Sequence, residues 1–568
     1  MRSLALISCV LAVPAIAQTT TRVSVTAAGA QVIGHSEYPD ISHDGRYVTY
    51  LSKAPGLVPE DANNIQDIFL HDRYTGAVQR MSVSTAGVAS NGLSDLPSIS
   101  ADGRFVAFQT FAGNFDPADL NGASYYDVYV RDTQLGTTTL MSKNSGGVGS
   151  SFGHSAKAKI SANGVYVVFE SDSSTLVPSD NGAFTDIFVH NRLTGETSKM
   201  STPIPDMLGT AHSYISSISG DGSRVTFQSS GSNIVLGDTN GKSDVFLREW
   251  IGPTPSITIV SRSSAGVLGN DHSGDATISA DGKFVVFSSD ATNLVASDTN
   301  NANDIFVRDL VAGTTECVSV TQGGVPGNNF SQYADISADG RYVVFHSAAS
   351  NLIVGDTNSG TDVFRRDRLL GTTTRISVMT GGAQANAGSQ EAAISGDGRF
   401  VTYYSGVTNL VPNDTNNRND VFVTDPAGLA ASIAIRTGAG NVPNSLTANS
   451  QPLIGNAGFG FVYDNPTASC GVTPGTAVVT AIDFNGALTA SLFDGCAGGS
   501  GTLLINLFGP VPALTKTGVW LGTPGTATAP LPNDGSLCGL AAHAQSFFVV
   551  VPGLSIHPSD AVDVVIGQ

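Results

Sequence analysis

The stretch Ile278–Ser289, "ISADGKFVVFSS", decides the fold. Its Asp-Gly pair is a tight-turn signal between two apolar runs, the mark of a β-hairpin. Near-copies begin at Ile41 ("ISHDGRYVTYLS"), Ile99 ("ISADGRFVAFQT"), Ile160 ("ISANGVYVVFES"), Ile218 ("ISGDGSRVTFQS"), Ile336 ("ISADGRYVVFHS") and Ile394 ("ISGDGRFVTYYS"). That makes seven copies, 58 to 61 residues apart. Each carries four apolar segments: one running into "IS", one after the turn, one of the "DIFVRD" type, and one of the "TTTRISV" type. Four short strands repeated seven times predict an all-β chain built as a seven-bladed β-propeller.

The ends of the array support closure into a ring. The seventh copy stops at "DVFVTDP", Asp420–Pro426, without a fourth segment. An orphan "TTTRVSV", Thr19–Val25, precedes the first copy and matches "TTTRISV", Thr372–Val378. Val25 lies 16 residues before Ile41, as Val378 lies before Ile394. The N-terminal strand is therefore expected to complete the last blade, which removes the open sheet edges of a linear array.

The "ISADGRFVAFQT" and "ISADGKFVVFSS" segments, each followed by a "DVFVRD"-type strand, resemble the Ser-x-Asp-Gly-Lys/Arg repeat of TolB-like propellers, relatives of the Trp-Asp-repeat propellers. The resemblance covers roughly Thr19 to Pro426. It implies the fold; the matching residues are turn and strand residues, and one fold hosts many functions.

The N-terminus "MRSLALISCVLAVPAIAQ" has one basic residue, an apolar run and Ala15-Ile16-Ala17. That layout predicts a secretory signal peptide over 1–17, so the chain is expected to be exported, periplasmic or extracellular. The propeller then occupies 18–429. From Ala431 onward there is no Glu and the only basic residues are Arg436 and Lys516. Gly, Ala, Thr and short apolar runs there predict a smaller, sandwich-like β domain over 430–568. Cys317, Cys470, Cys496 and Cys538 remain after cleavage, and an exported context permits disulfides whose pairing spacing does not reveal.

The net charge of −19 repels phosphate backbones and anionic lipid, so nucleic acid and membrane are unfavoured partners. No apolar run after the leader is long enough to span a bilayer. A monomer that binds a protein or an extracellular polysaccharide is the expectation.

Connections between first and second strands, and between third and fourth, are short and share one face. The other connections are long and share the opposite face, where recognition is expected. Two residue patterns fall there. One is an Asp-x-Asn-x-x-x-Asp spacing: Asp61/Asn63/Asp67, Asp238/Asn240/Asp244, Asp298/Asn300/Asp304, Asp356/Asn358/Asp362 and Asp414/Asn416/Asp420. It matches positions 1, 3 and 7 of a calcium loop. Asp309 falls at position 12, but "DIFVRD" reads as a strand that carries it roughly 16 Å away. What remains is either a partial calcium site or a turn capped by its own Asp and Asn side chains.

The other pattern stands six residues before each "IS": His35, Leu93, His154, His212, His272, Phe330 and Gly388, each followed by a serine. His35, His154, His212 and His272 are candidate ligand-binding or metal residues near the axis. The arrangement is similar in outline to the metal-holding histidines of propeller-type polysaccharide lyases, without a motif match. No His-Glu-x-x-His or phosphate loop occurs. The sequence therefore points to a non-enzymatic binding or scaffold protein. The alternative is a metal-assisted polysaccharide lyase or glycoside hydrolase centred on the axis.

Overall fold

The computed structural model describes residues 18–426 apart from 62, 64, 179, 181–183 and 204–208. Beyond 426 it describes the backbone of short strands only. Seven four-stranded antiparallel sheets follow one another along 18–426. Blades one to seven open with Ser36–Ile41, Ser94–Ile99, Ser155–Ile160, Ser213–Ile218, Ser273–Ile278, Ser331–Ile336 and Ser389–Ile394. Among the described residues the one helical element is a single 3-10 turn, Gly122–Ser124.

Each blade folds by the same local chemistry. In blade five, Ser279 Oγ donates to Asp281 Oδ1 at 2.6 Å, and that oxygen accepts the Lys283 N–H at 3.0 Å. The side chains thus build the turn that the Asp-Gly pair announces. In blade five the turn glycine, Gly282, sits at φ +71° against Arg224 of the preceding blade; in blade six the glycine has two reasons to be there. Gly340 sits at φ +74°, and a Cβ would come within 2.0 Å of the Phe284 ring of the preceding blade.

The second and third strands face each other with an aromatic pair at the centre. Phe287 pairs with Phe306 in register, their ring centroids 5.8 Å apart, and both are fully buried. The same stacked pair recurs in every blade, from Tyr50/Phe69 to Tyr403/Phe422. Each contributes about 0.5–1.5 kcal/mol beyond its area burial. The cores lie between blades. One cluster joins Val48, Tyr50 and Phe69 of blade one to Phe400, Val421 and Val423 of blade seven.

The ring is closed as the repeat count predicts. Thr19–Arg22 pairs antiparallel with Asp420–Asp425, Thr19 opposite Asp425 and Arg22 opposite Phe422. Ser24 Oγ donates to Asp420 Oδ1 at 2.6 Å and accepts the Val421 N–H at 3.1 Å. On the short-turn face, backbone hydrogen bonds of 2.9–3.1 Å pass from each blade to the next. His43 N–H donates to Ala101, and the circle ends with Asp397 N–H donating back to the His43 carbonyl.

The chain divides into two units, Met1–Gly428 and Leu429–Gln568. The described strands of the second form a five-stranded and a four-stranded sheet. In the latter Phe461–Tyr463 runs parallel to Asp563–Val565. Among the described residues no helix is long and apolar enough to cross a membrane. Residues 1–17 and Cys470, Cys496 and Cys538 lie outside the described residues; Cys317 is a free thiol.

Ser24 is fully buried and bonds two groups of blade seven from outside its own segment. Ser24→Ala is expected to cost about 1–3 kcal/mol by leaving Asp420 short of a donor. The urea midpoint should fall with an unchanged m-value, while Thr26→Ala in the adjoining loop stays within about 0.5 kcal/mol of the parent.

Candidate functional site

The Asp-x-Asn-x-x-x-Asp segments end the long connection before the third strand, their last Asp opening the strand. The middle Asn is a clamp. Asn300 Oδ1 accepts the Ala302 N–H, and its Nδ2 donates to the Gly327 carbonyl at 2.6 Å and to Asp304 Oδ2 at 2.7 Å. Asn63, Asn240 and Asn416 repeat this toward Asp67, Asp244 and Asp420, and Asn358 bonds the Ala385 carbonyl. With Oδ1 committed to a backbone N–H, the amide meets the carboxylate as a donor. Asp309 ends its strand, with Oδ1 accepting the Val311 and Ala312 N–H groups at 2.8 and 2.7 Å.

A basic side chain from the fourth strand enters between the two carboxylates in four blades. Arg80 lies 3.5 Å from both Asp61 and Asp67. Lys199 lies 3.4 Å from Asp180 and 2.6 Å from Asp186. Arg375 lies 3.3 Å from Asp356 and 3.4 Å from Asp362, and Arg22 lies 3.3 Å from Asp414 and from Asp420. In blades two, four and five the register puts Leu140, Ile259 and Cys317 at that position.

The histidines join blades. His154, His212 and His272 accept on Nδ1 from the Tyr126, Thr185 and Ser243 backbone N–H groups at 3.1, 2.9 and 3.0 Å. His35 accepts from Asn419 at 3.3 Å. Each donor belongs to the blade before. A neutral ring accepting on Nδ1 carries its proton on Nε2, so in that tautomer Nε2 is a donor and lacks the lone pair a metal takes. Among the described residues no group of three or more His, Cys, Asp and Glu side chains could hold a metal ion. Ser36, Ser155 and Ser273 after His35, His154 and His272 are buried and hydrogen-bond across the sheet, Ser273 and Ser289 at 2.8 Å, whereas Ser213 Oγ is buried without a partner among the described residues.

The structure adds a site that sequence reasoning missed. In every first strand the third residue is left-handed without being glycine: Tyr38, Leu96, Lys157, Ile215, Asp275, Tyr333 and Glu391, with φ between 45° and 50°. The pairing to the second strand slips there, a β-bulge in all seven blades. Such a conformation costs about 1–3 kcal/mol and is a true outlier for the β-branched Ile215. Neighbouring blades hold several bulges in place. Gln109 accepts the Lys157 N–H at 2.7 Å, Gln228 the Asp275 N–H at 3.2 Å, and His346 Nδ1 the Glu391 N–H at 3.3 Å.

These side chains converge from several blades. Burial pushes the Glu391 carboxyl up to about 7; Lys159 pulls against this, while Glu37, Asp275 and Asp95 add to it. Burial also raises the Tyr38 hydroxyl to about 12, with Glu391, Asp95 and Glu37 contributing. The Tyr38 and Tyr404 rings lie 5.8 Å apart, and Tyr333 lies 5.3 Å from His346. Blades five to seven, one and two thus supply an arc of acids and tyrosines. Blade three supplies Lys157, which pairs with Glu170 at 3.0 Å, and Lys159. The signal was present in the repeat as a column of changing chemistry, two residues after each constant serine.

No protein-family profile and no curated protein sequence matches the chain. The chain is similar to several solved structures. A protein assigned as TolB from Agrobacterium tumefaciens is 15% identical, over 61% of this chain and 92% of its own, with a TM-score of 0.33. A prolyl endopeptidase is 11% identical over 83% of this chain and 55% of its own, with a TM-score of 0.41. The RRP9 WD40 repeats are 11% identical over 72% and 97%, with a TM-score of 0.34. The propeller itself is read from this chain's own seven four-stranded sheets and their closure.

Burial raises the Asp127 carboxyl to about 7, against a hydrogen bond from Ser142 and with help from Asp119. Asp127 and Glu391 thus keep protons in the folded chain that the unfolded chain has released above about pH 4. Their contribution is complete below that pH and is lost as pH rises through 7. His190 and His346, held down to about 4 by burial, act in the opposite sense below about pH 6.5. The Tm should therefore fall between pH 6.5 and 8, and Asp127→Asn should flatten that slope in scanning calorimetry. A parental Tm rising over this window would contradict the assignment.

Proposed function

We propose that this chain is an exported, non-enzymatic binding platform whose recognition surface is the axial mouth on the long-loop face. The observation that carries the reading is the ring of seven left-handed bulges, strain kept in every blade and spent on presenting different side chains at one place. Similar blades with one variable column suit recognition. The histidines at the mouth serve as joints between blades, which leaves little for a metal-assisted lyase or hydrolase there.

The partner class follows from charge. Tyr38, Tyr333 and Tyr404 beside Asp275, Asp95 and Glu391, whose proton leaves as pH passes about 7, make an acidic aromatic arc, and the whole chain carries −19. Ammonium and guanidinium groups are attracted to tyrosine faces and carboxylates together. A protein that presents a basic segment fits this best. An extracellular glycan is the second reading, supported by aromatic rings around the same rim, where Tyr125, Phe184 and Tyr214 lie 5.2–5.5 Å from His154 or His212.

The test is binding of the purified mature chain to peptide arrays graded in Lys and Arg content and, in parallel, to glycan arrays. Basic peptides should be retained, and Tyr333→Ala with Glu391→Gln should weaken retention at least tenfold while the fold is kept by circular dichroism. Retention of glycans alone would favour the second reading. Retention of neither, or binding indifferent to the double variant, would overturn the proposal.

A further inference from the structure

The seven acidic loop pairs form an internal comparison series. Each pair sets a first carboxylate against a second at the start of the third strand. In blades one, three, six and seven a buried Arg or Lys supplies the positive charge between them. Blades six and seven add a second donor: Gln384 Nε2 reaches Asp356 at 2.7 Å and Gln31 Nε2 reaches Asp414 at 2.7 Å.

Blade five has lost both. Its bridge partner at the glutamine position is Pro326, since Val320 faces Pro326 as Val378 faces Gln384. The arginine position holds Cys317, opposite Phe306 as Arg375 is opposite Phe364. Cysteine is shorter than arginine by most of a side chain and brings no charge. Asp298 is 7% exposed, and among the described residues its Oδ1 is buried without a hydrogen-bond partner. Asp304 is fully buried, with Ser319 and Asn300 donating to it at 2.5 and 2.7 Å. Two buried carboxylates without a counter-charge cost several kcal/mol unless something neutralises them.

We propose that the Asp298–Asp304 pair of blade five binds a divalent hard cation of the calcium class, in the place that the Arg375 guanidinium takes in blade six. Carboxylate oxygens select hard cations over thiophilic ones. Calcium accepts six to eight oxygens at about 2.3–2.6 Å, so water in the space left by the missing arginine would complete the shell. Among the described residues blade four, with Ile259 at the same position, has no buried unpartnered oxygen on Asp238; blade two, with Leu140 there, has one on Asp127 but its pair Asp119 and Asp127 is two residues farther apart in sequence, and neither blade is included.

The test uses Ca2+ titrated calorimetrically into the chelator-stripped full mature chain. The parent should bind one equivalent more than Asp298→Asn and one more than Cys317→Arg, which places in blade five the cation that blade six already carries. The paired change Arg375→Cys with Gln384→Pro should add an equivalent in blade six. Chelator should lower the Tm of the parent and leave that of Cys317→Arg unmoved. Circular dichroism separates a lost site from a lost fold, and Asp298→Asn keeps the test open where Cys317→Arg does not fold. Equal stoichiometry in the parent and a folded variant would overturn the proposal, as would a carboxyl pair that only exchanges a proton in the presence of Ca2+.

Discussion

The structure depends on one pairing: Thr19–Arg22 against Asp420–Asp425. Six blades are continuous in sequence, and the seventh is assembled from both ends of the repeat array. The pairing does more than add a strand. It brings Ser24 to Asp420, Gln31 to Asp414 and Arg22 between both carboxylates, and it completes the core that joins Phe400 to Val48. Without it two sheet edges stand open and the hydrogen-bonded circle on the short-turn face has no last member. Every interblade contact therefore inherits its geometry from a closure made across some four hundred residues of chain.

A closed ring of near-equal blades divides residues into two classes. Those that repeat do so because each blade needs them: the turn serine with its Asp or Asn partner, the glycine packed under a side chain of the neighbouring blade, the stacked pair between second and third strands. Those that vary sit where the ring tolerates variation, at the bulged third residue of each first strand and at the basic position of each fourth strand. Variation at the bulge changes what the axis presents. Variation at the fourth strand changes whether a buried carboxylate pair carries its own cation. Both act within an unchanged backbone, because neighbouring blades, through Gln109, Gln228 and His346, hold the bulge by its N–H and not by its side chain.

Much of the fold was legible in the sequence. The Asp-Gly turns at Gly45, Gly103 and their copies set the hairpins, and the orphan "TTTRVSV" announced the closing strand. The candidate site was legible only in part. The Asp and His positions were visible as columns, but their partners were not. Nothing near Asp356 in the sequence names Arg375 as its counter-ion, and nothing near His212 names the Thr185 N–H.

Periodicity, turn chemistry and strand propensity are local, so the sequence by itself determined seven four-stranded units and the way their ends meet. The left-handed bulge, the tautomer of each rim histidine and the loss of charge balance in blade five were decided only by tertiary structure. Each depends on a group delivered by an adjacent strand or blade. A hydrogen bond or ion pair between groups tens of residues apart leaves no periodic trace, and its energy exists only once the ring has closed.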